Sequence, residues 1–329
     1  MTGRLDVAPA VALTGATGFV GSFLLRRLVQ KGCRIRLLLR RPEAWRSMVE
    51  TLPSAPAEGM VEVIAGGLED KAALKELISG TTAVVHCAGL IKARDAGEFR
   101  RINADATESL AELAGRSGSV ERFIYISSLA AREPHISAYA QSKRAAEEAV
   151  RAWAGNLEVA TFRPPAVYGP GDRATLPLFQ QMNRGLLVVP GRRSNRFSLI
   201  HAEDLAEAVI AALEAELPSG ICLEPNDEAP EGYSWPELTA IAGQALGRRV
   251  RLIQLPPASV YPVAWGSETV SRALGRASVF TPGKLRELTF PDWRSRGNWR
   301  RLLPDCPAPR MFSDGFTQTL NWYKQQGWL

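Results

Sequence analysis

The sequence has few cysteines and histidines and no long apolar run. Its 329 residues include 4 Cys and 3 His, none at a spacing typical of a zinc site. No stretch approaches roughly 18 consecutive apolar residues, the length of a membrane-spanning helix. The opening segment, MTGRLDVAPAVALTG, lacks the layout of a secretory signal peptide. These absences argue against a disulfide framework, a metal site and metal catalysis, and they predict a cytoplasmic protein with free thiols.

The charge of the chain is unevenly distributed. Hydrophobic residues make up 46% and charged residues 22%, which excludes wholesale disorder. The net charge is +6, yet the segment from Arg248 to Arg310 alone carries twelve Lys or Arg against four Asp or Glu. This basic excess is typical either of a solvated face or of contact with an anionic partner, such as an anionic membrane. No nucleic-acid-binding motif is visible, so we expect no nucleic-acid partner.

Short apolar runs alternate with amphipathic stretches up to about residue 165. Near-continuous apolar strands separated by helices indicate βαβ units and a parallel sheet covered on both faces. We therefore predict an α/β fold with a Rossmann-type doubly wound sheet in residues 1–165, on which residues 196–217 pack back. Beyond Pro164, Pro and Gly become dense, and six of the eight tryptophans lie after residue 230. Residues 166–329 are predicted to form a smaller α+β substrate-binding domain. The predicted strands are Val11–Thr14, Arg34–Leu39, Val61–Ile64, Ala83–Cys87, Arg122–Ser127 and Leu157–Phe162, and the predicted helices are Gly21–Lys31, Asp70–Ser79, Arg100–Arg116, Tyr139–Ala154 and His201–Leu217.

A glycine-rich loop joins the first predicted strand to the first helix. It reads TGATGFVG, a GxxGxxG pattern that permits a tight turn, a close approach of a pyrophosphate and close packing of helix on sheet. The phosphate would lie at the positive end of the helix dipole. Between a first strand and a first helix, this pattern predicts a dinucleotide site. The residues assigned to the loop are Gly15, Thr17, Gly18, Phe19, Val20 and Gly21.

Arg40 and Arg41 follow the second predicted strand. A site that selects NAD usually places a carboxylate there for the ribose 2′-hydroxyl, whereas an arginine suits the 2′-phosphate of NADP. Guanidinium groups bind phosphate in a bidentate fashion. We therefore favour NADP(H) over NAD(H) as the cofactor, although two surface arginines in a loop are an alternative explanation.

Tyr139 and Lys143 begin the helix that follows the fifth predicted strand. On a helix, this spacing places both side chains on one face, about 6 Å apart at Cβ. A nearby ammonium favours the phenolate and lowers the pKa of a tyrosine, giving an acid or base suited to carbonyl reduction or alcohol oxidation. Ser127 and Ser128 end the preceding strand at the carboxyl edge of the sheet, where a hydroxyl can hold a carbonyl oxygen.

These motifs, taken in order, resemble the extended short-chain dehydrogenase/reductase superfamily of the NAD(P)-dependent epimerase/dehydratase type. The resemblance covers most of the chain. The motifs that match the family are TGATGFVG, HCAG at 86–89, Asn103 with Thr107, Ser127-Ser128, YAQSK at 139–143, RPPAVYGPGD at 163–172, the segment 201–204 and LNWYK at 320–324.

The resemblance implies a Ser-Tyr-Lys mechanism with hydride transfer at a nicotinamide. Ser128 matches the catalytic Ser/Thr, Tyr139 the proton donor and Lys143 the residue that holds the nicotinamide ribose. Asn103 matches the helix asparagine that supports this lysine, often through water. Four further residues are implied to line the cofactor: Cys87, Ala88, Gly89 and Pro164. The resemblance also suggests a homodimer formed through a four-helix contact.

Three departures from the family pattern bear on the ligands. Relatives carry an acidic residue after the third strand, in a Gly-Asp-Leu pattern that contacts adenine, but this sequence reads Gly66-Gly67-Leu68. One hydrogen bond to adenine is therefore in doubt, and Glu69 is the substitute for the missing acid. Leu68 is still assigned to the cofactor site. Ala166 stands where relatives that bind nucleotide sugars carry an asparagine, and an unpaired diphosphate contact would cost about 1–3 kcal/mol. Only ten residues separate Ser128 from Tyr139, and they begin with the apolar segment 129–131.

These departures favour the branch that resembles 3β-hydroxysteroid dehydrogenases and dihydroflavonol reductases. The expected substrate is a small hydrophobic ketone or alcohol, for example a 3-keto-sphingolipid, a ceramide precursor or a sterol. Segment 252–265, with the basic excess around it, is predicted either to wall an apolar pocket or to rest peripherally on the inner face of an anionic membrane. The alternative is that the tryptophans of this half of the chain pack the core of a small domain. Two alternatives stay open: a nucleotide-sugar or hopanoid-linked sugar epimerase/dehydratase, and a non-catalytic dinucleotide-sensing regulator.

Overall fold

A computed structural model describes residues 10–278 and 280–329 of the chain. The first nine residues of the predicted dinucleotide domain, and with them most of the segment judged for a signal peptide, lie outside the described residues. Within the described ranges, no helix is long and apolar enough to cross a membrane.

A seven-stranded, fully parallel sheet forms the centre of the molecule, in the order β11-β6-β5-β4-β1-β2-β3. Each of the six predicted strands is present, and the predicted doubly wound Rossmann sheet is confirmed. The order reverses beside β1, so the adjacent ends of β1 and β4 form the crevice where such sheets bind ligands. The strands of this sheet are β1 (Ala10–Thr14), β2 (Arg34–Leu39), β3 (Val61–Ala65), β4 (Ala83–His86), β5 (Arg122–Ile126), β6 (Glu158–Phe162) and β11 (Ile221–Leu223).

Helices cover both faces of the sheet. The predicted helix 100–116 is part of a longer one, in which α4 runs into a π-helical turn at Arg100–Asp105 and then into α5. A short 3₁₀ turn, Leu129–Arg132, follows β5. The helices of the first 165 residues are α1 (Phe19–Gln30), α2 (Ala44–Val49), α3 (Lys71–Ile78), α4 (Ala96–Phe99), α5 (Ala106–Arg116) and α6 (Ala138–Arg151). Of the next two, α7 (Leu176–Asn183) belongs to the smaller region described below, and α8 (Ala202–Glu214) returns to the sheet.

Two segments from beyond residue 165 belong to this layered core. Buried alanines and leucines of α8 pack with α1 and the inner strands, and Trp299, Leu303 and Cys306 lie in the same cluster. Strand β11 extends the sheet beyond β6. The chain therefore leaves the sheet after β6 and returns to it, because the apolar face of α8 and the short strand β11 are buried only against the first half.

The remaining elements build a smaller region with its own core. Its buried residues include Tyr168, Phe179, Trp235 and Phe316, and three two-stranded parallel pairs, β7–β10, β8–β12 and β9–β13, support it. These strands are β7 (Ala166–Tyr168), β8 (Leu186–Pro190), β9 (Arg196–Phe197), β10 (Leu199–His201), β12 (Arg251–Leu255) and β13 (Asp292–Trp293), and the helices are α9 (Trp235–Leu246), α10 (Pro257–Ala273), α11 (Pro282–Thr289) and α12 (Phe312–Gln325).

Candidate active site

The glycine loop between β1 and α1 leaves room for a phosphate. Gly15 has φ +82°, and a Cβ there would lie 2.6 Å from the backbone nitrogen of Ala88. At Gly21 a Cβ would collide with the carbonyl of Gly15. Helix α1 begins after Gly18 with no side-chain cap and no acidic residue in its first turn, so the positive end of its dipole is free to attract an anion. This cradle fits the pyrophosphate of a dinucleotide.

The end of β2 presents two free guanidinium groups to the same edge. Arg40 and Arg41 are exposed, and neither forms an ion pair with a residue in the described ranges. The side chain of Arg40 passes near Gly67, where an added Cβ would lie 3.7 Å from its Cγ. Glu69, the substitute acid for adenine, is instead paired with Arg101 at 2.7 Å. The two positions directly after β2 thus carry exposed positive charge and no carboxylate.

Helix α6 carries both Tyr139 and Lys143. Ser137 caps its start by accepting a hydrogen bond from the Ala140 amide at 2.9 Å. The ammonium of Lys143 is buried, donates to the Ile126 carbonyl at 2.8 Å and lies 4.6 Å from the centre of the Tyr125 ring. Burial lowers the pKa of Lys143 to about 8, with Cys87 and Glu147 acting in the opposite direction.

The phenol of Tyr139 holds its proton firmly in this protein without ligand. Burial raises the pKa of Tyr139 to about 12, while a hydrogen bond with Ser128 acts in the opposite direction. The expectation that Lys143 lowers the pKa of Tyr139 is therefore not met in this structure, because burial of the phenol outweighs its neighbours. A group of this kind is protonated at neutral pH and ready to act as a proton donor, and stabilisation of the phenolate has to come from neighbours during the reaction.

The two adjacent serines after β5 have different partners. Ser127 is buried and donates its hydroxyl hydrogen to Glu147 at 2.5 Å. Ser128 is partly exposed, caps the 3₁₀ turn by accepting from the Ala130 amide at 3.2 Å, and contacts Tyr139. Ser128 is therefore the serine beside Tyr139, at the expected substrate cleft.

Asn103 lies in the π-helical turn and is buried. Its side-chain amide donates to the Leu90 carbonyl at 2.9 Å and to Ser142 Oγ at 3.0 Å, and its oxygen accepts from the Leu90 amide at 2.6 Å. Ser142 precedes Lys143, so Asn103 joins the loop after β4 to the helix that bears the lysine. π-Helical turns inside longer helices frequently occur at functional sites.

A buried histidine fixes the ends of β1 and β4. His86 interacts with Thr14 Oγ1 at 2.7 Å through Nδ1 and with Thr107 Oγ1 at 2.8 Å through Nε2. Thr14 Oγ1 also accepts from the Ala88 amide at 3.2 Å. Burial lowers the pKa of His86 to about 3, and Lys143 lowers it further, so the ring is neutral. This network holds the loop carrying Cys87, whose pKa burial raises to about 12.

A line of buried charges runs behind the site. Glu147 accepts from Arg163 at 2.9 and 2.6 Å. Glu224 then lies between Arg163, at 3.7 Å, and Arg132, at 3.3 Å. All four side chains are at most 16% exposed. Two guanidinium groups thus balance two carboxylates, a requirement for burying charges at all.

The sequence analysis did not predict this ion network, which connects the two regions of the chain. Arg132 also donates to the carbonyls of Arg294 and Asp292 at 2.8 and 2.9 Å. The one available signal was the spacing of Lys143 and Glu147, which puts the glutamate one further helical turn along the same face. The distant partners, Arg163 and Glu224, meet it only in the folded chain.

The surroundings of Tyr139 are apolar. Phe99 lies 5.9 Å from the Tyr139 ring, centre to centre. Around it are the buried Ala130, Ile136 and Ala140 and the partly buried Phe290 and Trp293.

The other predicted residues lie around the same edge of the sheet. Pro164 is buried, and its carbonyl accepts from the Leu129 amide at 2.9 Å, which ties it to the turn after Ser128. Gly89 is exposed, and a Cβ there would lie 3.7 Å from Lys143 Nζ. Leu68 is partly buried and Ala166 is exposed. Their roles toward a cofactor or substrate stay predictions. Among the residues described, no group of three His, Cys, Asp or Glu side chains could hold a metal ion.

The doubly wound sheet, the glycine cradle and the Tyr139–Lys143 helix together define an NAD(P)-dependent enzyme of the short-chain dehydrogenase/reductase type. The model of the NAD-dependent epimerase/dehydratase family matches residues 11–221, and the chain belongs to this family. The resemblance drawn from the sequence motifs is thereby confirmed at the level of the family and of the enzyme class.

Individual relatives extend over nearly the whole chain. The ceramide reductase of Caulobacter vibrioides is 39% identical over 327 residues, which cover 98% of this chain and 97% of that protein. The 4-hydroxy-2-methyl-3-oxo-4-farnesyl-3,4-dihydroquinoline-1-oxide ketoreductase of Stigmatella aurantiaca is 28% identical over 320 residues, covering 86% of this chain and 89% of the relative. The solved structure of MoeE5 in complex with UDP-glucuronic acid and NAD has a TM-score of 0.71 at 21% identity, covers 97% of this chain and all of its own, and shows the shared fold.

Proposed function

We propose that this enzyme uses NADPH to reduce a keto group on a hydrophobic, lipid-like substrate, such as a 3-keto-sphingolipid or ceramide precursor or a sterol. The observation that carries the proposal is the apolar surround of Tyr139, where Phe99 lies 5.9 Å from its ring and Phe290 and Trp293 belong to the same hydrophobic cluster. Such a lining accepts an acyl chain and offers few hydrogen bonds to a sugar. The similarity to a ceramide reductase and to a ketoreductase of a farnesylated quinoline oxide supports the same class of substrate.

The chain's own residues would divide the work as follows. Ser128 holds the substrate carbonyl oxygen, and Tyr139, protonated because of its raised pKa, donates its proton to that oxygen. A bound reduced nicotinamide supplies the hydride for the carbon. Lys143, positively charged below its pKa of about 8, stabilises the phenolate that remains, and a proton from water restores Tyr139.

Cofactor selection would rest on the end of β2. Arg40 and Arg41 are exposed and unpaired with any described residue, and a guanidinium is well suited to a 2′-phosphate. The glycine cradle and the free start of α1 would hold the pyrophosphate. Arg40 therefore supports NADPH rather than NADH as the reductant.

The test is consumption of NADPH with three substrates: a 3-keto-ceramide, a 3-ketosteroid and UDP-glucose. Turnover of a keto-lipid with one alcohol formed per NADPH supports the proposal. Turnover of UDP-glucose without net oxidation of the cofactor would favour an epimerase instead. Tyr139→Phe keeps the ring and should lower the rate by about 10²–10⁴-fold while NADPH binding persists, and Tyr261→Phe, which removes a phenol from α10, is the matched control.

A further inference from the structure

Exposed apolar side chains are concentrated in the strip of sequence formed by β12 and α10. Ten large hydrophobic residues are exposed among those described, and seven of them lie within the 22 residues from 253 to 274. Val263, Trp265 and Leu274 are 63%, 66% and 62% exposed. We call this strip the apolar ridge, and its members are Ile253, Leu255, Tyr261, Val263, Trp265, Val270 and Leu274.

Helix α10 is short of charge for a helix that faces water. In its 17 residues only Ala264 is buried. Its two charged residues, Glu268 and Arg272, pair with each other at 3.0 Å. Exposed helical faces normally carry charged side chains, so a helix with seven large apolar side chains exposed on it and on the preceding strand is typical of a site of contact.

Free positive charge flanks the ridge on both sides. Arg248, Arg249 and Arg251 lead into β12, and Arg276 follows α10. All four are exposed, and none forms an ion pair with another described residue. Apolar and aromatic side chains bordered by arginines are the combination that binds the interface of an anionic bilayer.

The ridge lies one helix away from the proposed site. Helix α10 packs on α11, and α11 packs on the start of the helix bearing Tyr139. There Ser137 donates its hydroxyl hydrogen to Glu287, and Arg286 donates to the Ile136 carbonyl at 2.7 Å. Phe290, directly after α11, belongs to the apolar surround of Tyr139.

We propose that the apolar ridge docks on the surface of an anionic lipid bilayer and brings the Tyr139 site, one helix away, close to it. This inference rests on the proposed function, because a substrate with long acyl chains resides in a bilayer and not in water. A second copy of the chain fits the ridge less well. The flanking arginines would need acidic partners on the second copy, and the one acid of α10, Glu268, is already paired with Arg272.

Flotation of the full chain with vesicles tests docking directly. Phosphatidylcholine vesicles with phosphatidylglycerol are compared with pure phosphatidylcholine vesicles. We expect binding to the anionic vesicles, a loss of at least about tenfold in V263S/W265S, and a loss of about fivefold for each neutralised arginine in R249Q and R276Q. Met311→Ser removes an exposed apolar side chain outside the ridge and should bind as the natural sequence does.

Three results would overturn docking: no binding to anionic vesicles, binding that V263S/W265S leaves unchanged, or equal binding to neutral vesicles. Loss of a dimer in V263S/W265S without any vesicle binding would assign the ridge to a second copy. Turnover of a water-soluble short-chain ketone separates docking from the proposed function. Docking on vesicles without turnover of any ketone would contradict the proposed reductase function and leave the docking proposal standing. Turnover of the short-chain ketone without docking would contradict the docking proposal and leave the reductase function standing.

Discussion

Ser127 donates its hydroxyl hydrogen to the carboxylate of Glu147 at 2.5 Å, and so one of two adjacent serines is part of the structural support while the other faces the cleft. The same carboxylate accepts two hydrogen bonds from Arg163. The end of β5, the helix α6 and the end of β6 are therefore held by one side chain. Because Lys143 lies one turn before Glu147 on α6, the support reaches the proposed site directly.

Loss of the negative charge at position 147 should destabilise the fold. Glu147→Gln leaves the buried guanidinium of Arg163 with a neutral partner, so we expect a loss of about 3–5 kcal/mol in the free energy of unfolding. Denaturant unfolding measures it. Glu148→Gln is the matched control, since Glu148 pairs on the surface with Arg144 at 2.8 Å and should cost at most about 1 kcal/mol. Equal losses in both variants would contradict the role given to the buried network.

The two serines should respond differently to removal of the hydroxyl. Ser128→Ala is expected to lower kcat for ketone reduction by about 10–100-fold, because a hydrogen bond to the reacting oxygen is worth more in the transition state than in the ground state, while stability stays within about 1 kcal/mol. Ser127→Ala should lower stability by about 1–3 kcal/mol and spare kcat. Steady-state kinetics together with thermal unfolding separate the two, and a reversed pattern would reassign the catalytic serine to position 127.

Arg40→Ala should weaken binding of NADP(H) about tenfold or more and leave NAD(H) binding nearly unchanged, because the guanidinium is proposed to bind only the 2′-phosphate. Titration of both cofactors by fluorescence or calorimetry checks this. Arg46→Ala, an exposed arginine on the nearby helix α2, serves as the control for general loss of positive charge. An equal loss for both cofactors in Arg40→Ala would exclude selection by this residue.

The neutral His86 should make the fold sensitive to acid. Its folded pKa of about 3 lies below the ordinary value of 6.5, so the unfolded chain binds a proton below pH 6.5 that the folded chain does not. Stability is then complete above pH 6.5 and falls by about 1.4 kcal/mol per pH unit toward pH 3 from this group. In His86→Gln the free energy of unfolding should fall less steeply between pH 4 and 6, by about 1.4 kcal/mol per pH unit, the slope that corresponds to one proton. An unchanged slope in His86→Gln would refute the assignment.

Much of the first half of the fold follows from local patterns. Buried strands such as β1 and β5 appear as short apolar runs, and Gly15 and Gly21 mark the only kind of residue that fits where a Cβ would strike backbone. The candidate site residues Ser128, Tyr139 and Lys143 were found because strand ends and helix starts in a doubly wound sheet meet at one edge.

The support around the site was not predictable in this way. Arg163 and Glu224, like Arg132 and Glu224, are far apart along the chain, and no local period relates them. The exposure of Trp265 was equally hidden, since Trp235 and Trp299 in the same half of the chain are buried. The sequence shows that a side chain is apolar, but it does not show which residues surround that side chain in the fold, and these decide whether it is buried.

The sequence by itself determined the parallel sheet, the dinucleotide loop and the family, because these depend on residue type and on spacing within one or two adjacent elements. The tertiary structure decided which serine faces the cleft, which charges are buried together, why β11 rejoins the sheet and where the apolar ridge lies. These features depend on contacts between distant segments, and such contacts exist only once the hydrophobic core has brought the segments together.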